Sequence, residues 1–347
     1  MKLAQFAASI TVLVAPAFLA CDDGTGPNLP TGTETAVVVN SIDLSITVFP
    51  TDTPTKTLAI GLAPTGSPVS VAARNNLVVV PMGFLAAAAI IDLRTGMVTT
   101  VPLPENSGAT GAAFLNDSIV YVGNPNLNTV SRINVQSGTH EAEIDVGIYP
   151  QAIAVTVERI LVMNAELDEN FQPAREGVVS VIDPSSNSVV GSFSLGGFNP
   201  SAAEFRDGLL YIVNSGRFGM GDGSLSVVNP STPDEIEHHV GFGEFPGDIA
   251  FDDAGDAYVS SFFYGIAVWD AAAESFVHPP DDPLVIGGHT TASGLGFDAD
   301  GRLYSLAPGD CVSPGVVVRA EADLSFDREI EVGVCPIAIA FTHVQGP

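Results

Sequence analysis

Pro336-Ile337-Ala338-Ile339-Ala340, close to the end of the 347-residue chain, is the stretch on which the fold turns. It is the seventh copy of a short motif that opens on Pro or Ala and continues with small and apolar residues. The earlier copies are Pro68-Val69-Ser70-Val71-Ala72, Ala109-Thr110-Gly111-Ala112-Ala113, Pro150-Gln151-Ala152-Ile153-Ala154, Pro200-Ser201-Ala202-Ala203-Glu204, Pro246-Gly247-Asp248-Ile249-Ala250 and Ala292-Ser293-Gly294-Leu295-Gly296. A period in the forties, built from short strands, is the mark of propeller blades. The small residues have a steric reason: the first strand of every blade crowds the central axis, where bulky side chains would collide.

Working outward, each copy leads into a second apolar strand, such as Ile119-Val120-Tyr121-Val122 or Leu209-Leu210-Tyr211-Ile212-Val213. A third strand follows and often closes on Asp or Asn, as in Val179-Ser180-Val181-Ile182-Asp183. Asp and Asn bond their own backbone two residues on, which suits a hairpin corner. A fourth strand then runs to Gly, as in Ile144-Asp145-Val146-Gly147. The seventh motif has only its first strand before the chain stops. The other three stand at the opposite end: Thr35–Asn40, Ser45–Phe49 and Lys56–Ile60, the last ending at Gly61. Joining the termini completes the seventh blade and leaves no open edge in the ring. The expectation is an all-β, seven-bladed β-propeller over residues 35–347, closed by N-terminal strands that finish the blade begun by the C-terminal strand.

The second strands end in Tyr121-Val122-Gly123-Asn124, Tyr211-Ile212-Val213-Asn214, Leu161-Val162-Met163-Asn164 and Val37-Val38-Val39-Asn40. This resembles the repeat of the bacterial YVTN β-propeller family, and the strand at Val179–Asp183 fits the same repeat. Ser260-Ser261 and Leu306-Ala307 depart from it. The resemblance implies the fold across nearly all of residues 35–347; for function it spans surface proteins, DNA-binding periplasmic proteins, lactonases and lyases.

The formal charge is −28, from 12 basic and 40 acidic residues. Such a chain repels nucleic acid and anionic lipid, so no nucleic-acid partner is expected. Residues 1–20 read as an export signal: Lys2, an apolar run from Ile10 to Ala20 too short to span a bilayer, then Cys21. Phe18-Leu19-Ala20-Cys21 resembles a bacterial lipobox, which implies lipidation of Cys21, a membrane anchor through that lipid, and a place in the cell envelope on its periplasmic or extracellular side. An ordinary cleaved secretory signal is the other reading; both export the chain. Residues 21–34 read as a tether, and a monomer is expected. Cys311 and Cys335 remain as an even pair in an oxidising compartment, for which a disulfide is the expectation and two free thiols the alternative.

Insertions concentrate on the face shared by the loops between strands two and three and the loops between blades. The stretch from Ala165 to Glu176 reads as the longest, followed by Ser215–Gly223 and Ala307–Gly315. This is the expected working face for a protein or small-molecule ligand. Glu166, Asp168, Glu169 and, separately, Asp222 supply hard oxygens that suit Ca²⁺, though the spacing lacks the Gly and distal Glu of an EF-hand. Glu204, Asp248 and His289 are the candidate acid–base groups near the channel mouth. Arg175 and Arg217 sit in the long loops, and Phe262, Phe263 and Tyr264 are candidates for an apolar rim. Two functions follow: a non-catalytic binding or scaffolding module, or a lactonase-like hydrolase or lyase with a divalent metal at the channel mouth.

Overall fold

The computed structural model describes residues 32–346. They form seven four-stranded antiparallel sheets arranged in a ring, a seven-bladed β-propeller. The residues read as an export signal, Cys21 and most of the stretch read as a tether lie outside the described residues.

Closure occurs as the repeat arithmetic requires. The seventh blade runs, from the axis outward, through Pro336–His343, Glu34–Asn40, Ser45–Pro50 and Leu58–Gly61. Val38 pairs with Ile339 and Val37 with Ala340 across the two ends of the chain. The period-2 alternation of a strand explains why Ala36, Val37, Val38 and Val39 are all fully buried. Ala36 and Val38 pack against Tyr304, Leu306 and Val317 of the sixth blade. Val37 and Val39 turn the other way, against Val78, Val80 and Met82 of the first. Every neighbouring pair of blades is filled by such an apolar layer. A blade therefore has no solvent face along its middle strands, which is why those strands read as unbroken apolar runs rather than alternating ones.

The Asn that ends a second strand has a structural task. Asn40, Asn124, Asn164 and Asn214 are fully buried, and each donates through Nδ2 to a hydroxyl on the third strand: Thr47 at 2.9 Å, Ser131 at 2.8 Å, Ser180 at 3.0 Å and Ser226 at 2.8 Å. In the fifth blade Ser261 stands there instead, donating to the Glu244 carbonyl at 2.9 Å.

Two devices secure the closing seam. Cys311, in the loop between the second and third strands of the sixth blade, is bonded to Cys335, just before the inner strand of the seventh, 24 residues on. On the opposite side of that seam Arg319 is almost wholly buried. It pairs with Asp327 (Nε···Oδ2 2.7 Å), donates to the Thr51 carbonyl at 2.7 Å, and lies over the Tyr304 ring. The sulfur bridge and the guanidinium thus tie the sixth blade to both chain ends.

The connection between the fifth and sixth blades, residues 279–294, is longer than the 165–177 connection that holds the stretch read as longest, Ala165 to Glu176. Its Leu284-Val285-Ile286 run resembles a strand, but only Leu284 bridges the sheet, opposite Ile266. Ile286 packs into the apolar layer between the fifth and sixth blades.

Candidate functional site

The start of every inner strand contributes to a funnel at the channel mouth, on the long-loop face, with a cavity of about 530 Å³. Its floor is stitched from blade to blade by hydroxyls. Ser70 donates to the Thr110 carbonyl, Thr110 to Pro150 at 3.2 Å, Ser215 to Pro246 at 2.8 Å and Ser293 to Pro336 at 2.6 Å. These polar groups hold the ring together.

The rim is aromatic. Tyr149, Phe171, Phe245 and Phe262 line the opening. Tyr149 meets Phe171 edge-on at 5.9 Å, and Phe218 joins Phe245 at 6.3 Å and Phe263 at 6.0 Å. Phe171, Phe218 and Phe263 are each more than half exposed, at 63, 67 and 54%. Scattered apolar residues on a surface mean little, but aromatic rings grouped around one cavity mark a contact site. Tyr264 does not join this rim: its hydroxyl is buried without a hydrogen-bond partner, and burial raises its pKa.

The residue just before the inner-strand proline has left-handed backbone in four blades: Tyr149 (φ 59°), Asn199 (58°), Phe245 (50°) and Cys335 (59°). Non-glycine residues in this region cost roughly 1–2 kcal/mol each. Two of the four are rim aromatics, one is the disulfide cysteine, and Asn199 accepts from Gln151 Nε2 at 2.6 Å on the funnel wall. Tyr149 and Phe245 are marked in the sequence by their place before Pro150 and Pro246, whereas Phe171 and Phe262 carry no such mark.

Asp248 is the one carboxylate among the described lining residues. Its oxygens accept from the backbone N–H of Ile249 (2.9 Å) and Leu295 (3.3 Å), and Ser260 Oγ accepts from its own N–H. Enclosure by the inner strands nevertheless raises its pKa to about 6. Glu204 stands two places further along the neighbouring inner strand, where the other six blades have Ala or Gly. The residue is exposed, yet the close-set strands strip much of its carboxylate's solvation. That loss, with repulsion from Asp248 adding to it, raises its pKa to about 7.

The structure corrects the third member of the candidate acid–base set. His289 is not with Glu204 and Asp248; its Nε2 lies 2.8 Å from Glu329 on the outermost strand of the sixth blade. The candidate calcium ligands are likewise not assembled. Glu166 is buried and engaged by Arg175 (Nε···Oε2 2.9 Å) and the Ile148 N–H. Asp168 caps its own turn by accepting from the N–H of Asn170 and Gln172, and Glu169 is exposed. Asp222 is clasped by the backbone and side chain of Arg217 (both 2.7 Å). Partial burial works to raise the Asp222 pKa, but those bonds and the nearby guanidinium outweigh it and lower it. Among the described residues no three His, Cys, Asp or Glu side chains converge to hold a metal ion.

No family model matches the chain, and no curated protein does. Solved propeller structures do resemble it. Hydrazine synthase of Kuenenia stuttgartiensis superposes with a TM-score of 0.64 at 14% identity, over 80% of this chain and 90% of that one. A functionally unknown protein from Desulfotomaculum acetoxidans superposes with a TM-score of 0.66 at 16% identity, over 89% and 99%. At such identities the likeness shows the fold alone.

Proposed function

We propose that this chain is an exported, lipid-anchored β-propeller of the YVTN type that works as a binding module in the cell envelope and receives its ligand in the funnel. The observation that carries this reading is the exposed aromatic rim over a cavity of small-molecule size, with two of its rings held in strained backbone. Binding is favoured over hydrolysis because the floor hydroxyls of Ser70, Thr110, Ser215 and Ser293 are committed to the neighbouring blade, and His289 is held at the periphery by Glu329. Export is supported by Phe18-Leu19-Ala20-Cys21 and by the Cys311–Cys335 bond, which suits an oxidising compartment.

Two measurements test the reading. The neutral solvatochromic dye prodan should bind the full chain saturably, and the double substitution Phe245→Ser with Phe262→Ser should abolish that binding at an unchanged melting temperature. Dye binding indifferent to those residues overturns the funnel. In a bacterial host, Cys21→Ser should end palmitate incorporation and release the protein from the membrane fraction; unaltered labelling overturns the anchor.

A further inference from the structure

The chemistry of the funnel specifies the charge of what enters it. Among the described residues lining it there is no Lys, Arg or His. The two arginines of the surrounding loops are already neutralised, Arg175 by Glu166 and Arg217 by Asp222, and Arg217 is also stacked over Phe198 at 4.4 Å. An anion entering the mouth therefore meets Asp248, with the charge of Glu204 behind it and no compensating cation, inside a chain of formal charge −28. A cation meets Asp248 and the rings of Tyr149, Phe171, Phe245 and Phe262, which line the same cavity.

Metal ions fit poorly. A hard cation such as Ca²⁺ takes six to eight oxygens, whereas Asp248 is alone among the lining carboxylates and its oxygens already accept backbone N–H groups. A weakly hydrated organic cation needs no such shell. It is satisfied by ring faces and one partly solvated carboxylate, and its apolar substituents match the rim. The cavity, about 530 Å³, is in the range of small-molecule sites and well short of a macromolecular interface.

We propose that the funnel selects a small organic cation, an ammonium bearing an aromatic or alkyl group, with the charge directed to Asp248 and the apolar part held by Tyr149, Phe171, Phe245 and Phe262. The inference rests on the funnel being the ligand site, and it adds the class of ligand.

Three probes of nearly equal shape and different charge test it by calorimetric titration of the full chain: phenethylamine (cationic), phenethyl alcohol (neutral) and phenylacetate (anionic). Phenethylamine should bind at least about tenfold more tightly than the alcohol, with phenylacetate weakest. In Asp248→Asn the gap between amine and alcohol should collapse. Equal binding of amine and alcohol, both abolished by Phe245→Ser with Phe262→Ser, overturns the choice of a cation and keeps the funnel as a binding site. No binding of any probe, or binding indifferent to the phenylalanines, overturns both. If Asp248→Asn does not fold, the ranking of the three probes on the unaltered protein decides.

Discussion

Replacing Glu204 by Gln should make the protein more stable, and only above a certain pH. Six blades place Ala or Gly at the position of Glu204, so nothing in the ring architecture requires a carboxylate there. Its pKa is raised from the ordinary 4.5 to about 7, first by lost solvation and then by repulsion from Asp248. A carboxyl whose folded pKa exceeds its unfolded one favours the folded state fully below the unfolded value. That contribution is lost as pH rises between about 4.5 and 7. At about 1.4 kcal/mol per pH unit the full shift has an upper bound of roughly 3 kcal/mol. Glu204 is exposed, so solvent screens its carboxylate and roughly 1–2 kcal/mol is the expected size. Urea unfolding of the unaltered protein and Glu204→Gln, followed by circular dichroism across this range, measures it. The two should be nearly equal in stability near pH 4.5, and the variant should gain the stated amount by pH 8. A difference that does not vary with pH, or a variant less stable at pH 8, would refute the assignment of Glu204 to a desolvated channel site. Confirmation would mean that the chain keeps a destabilising group at its axis, as binding sites do.

Opening the Cys311–Cys335 bond, by reduction or by replacing both residues with Ser, should cost about 3 kcal/mol through the freed loop entropy, read as a lower urea midpoint. An unmoved midpoint would show that the closing seam does not limit unfolding. Arg319→Met should cost roughly 2–4 kcal/mol, because Thr51 loses a buried donor and Asp327 loses its buried partner. Hydrogen exchange of Val37, Val38 and Val39 should quicken in that variant; protection as in the unaltered protein would show that the guanidinium does not hold the ring shut. Calcium and its chelation should both leave the melting temperature unchanged, since Glu166 and Asp222 are already paired with arginines; a calcium-dependent rise of several degrees would contradict the description of those loops.

The architecture was legible in the chain because its causes are local and repeated. Crowding at the axis demands small residues, so Pro-Ile-Ala-Ile-Ala and its six counterparts betray seven inner strands. Burial of both faces of the middle strands demands continuous apolar runs, and the strand count at the two ends dictates how the ring closes. The sulfur bridge was expected from the even cysteine pair, and the ring brings the start of the seventh inner strand beside a loop of the sixth blade, where it forms. The site was not legible in the same way, because it belongs to no single repeat. Tyr149, Phe171, Phe245 and Phe262 are separated in sequence and come to line one cavity only when the blades stand round a common axis. The side-chain partners also had to be seen. His289 reads as a mouth residue until Glu329 draws it to the outer strand, and Glu166 reads as a calcium ligand until Arg175 occupies it. Repetition along the chain determines the ring; the aromatic mouth, and Asp248 beneath it, depend on which unlike residues that ring brings face to face.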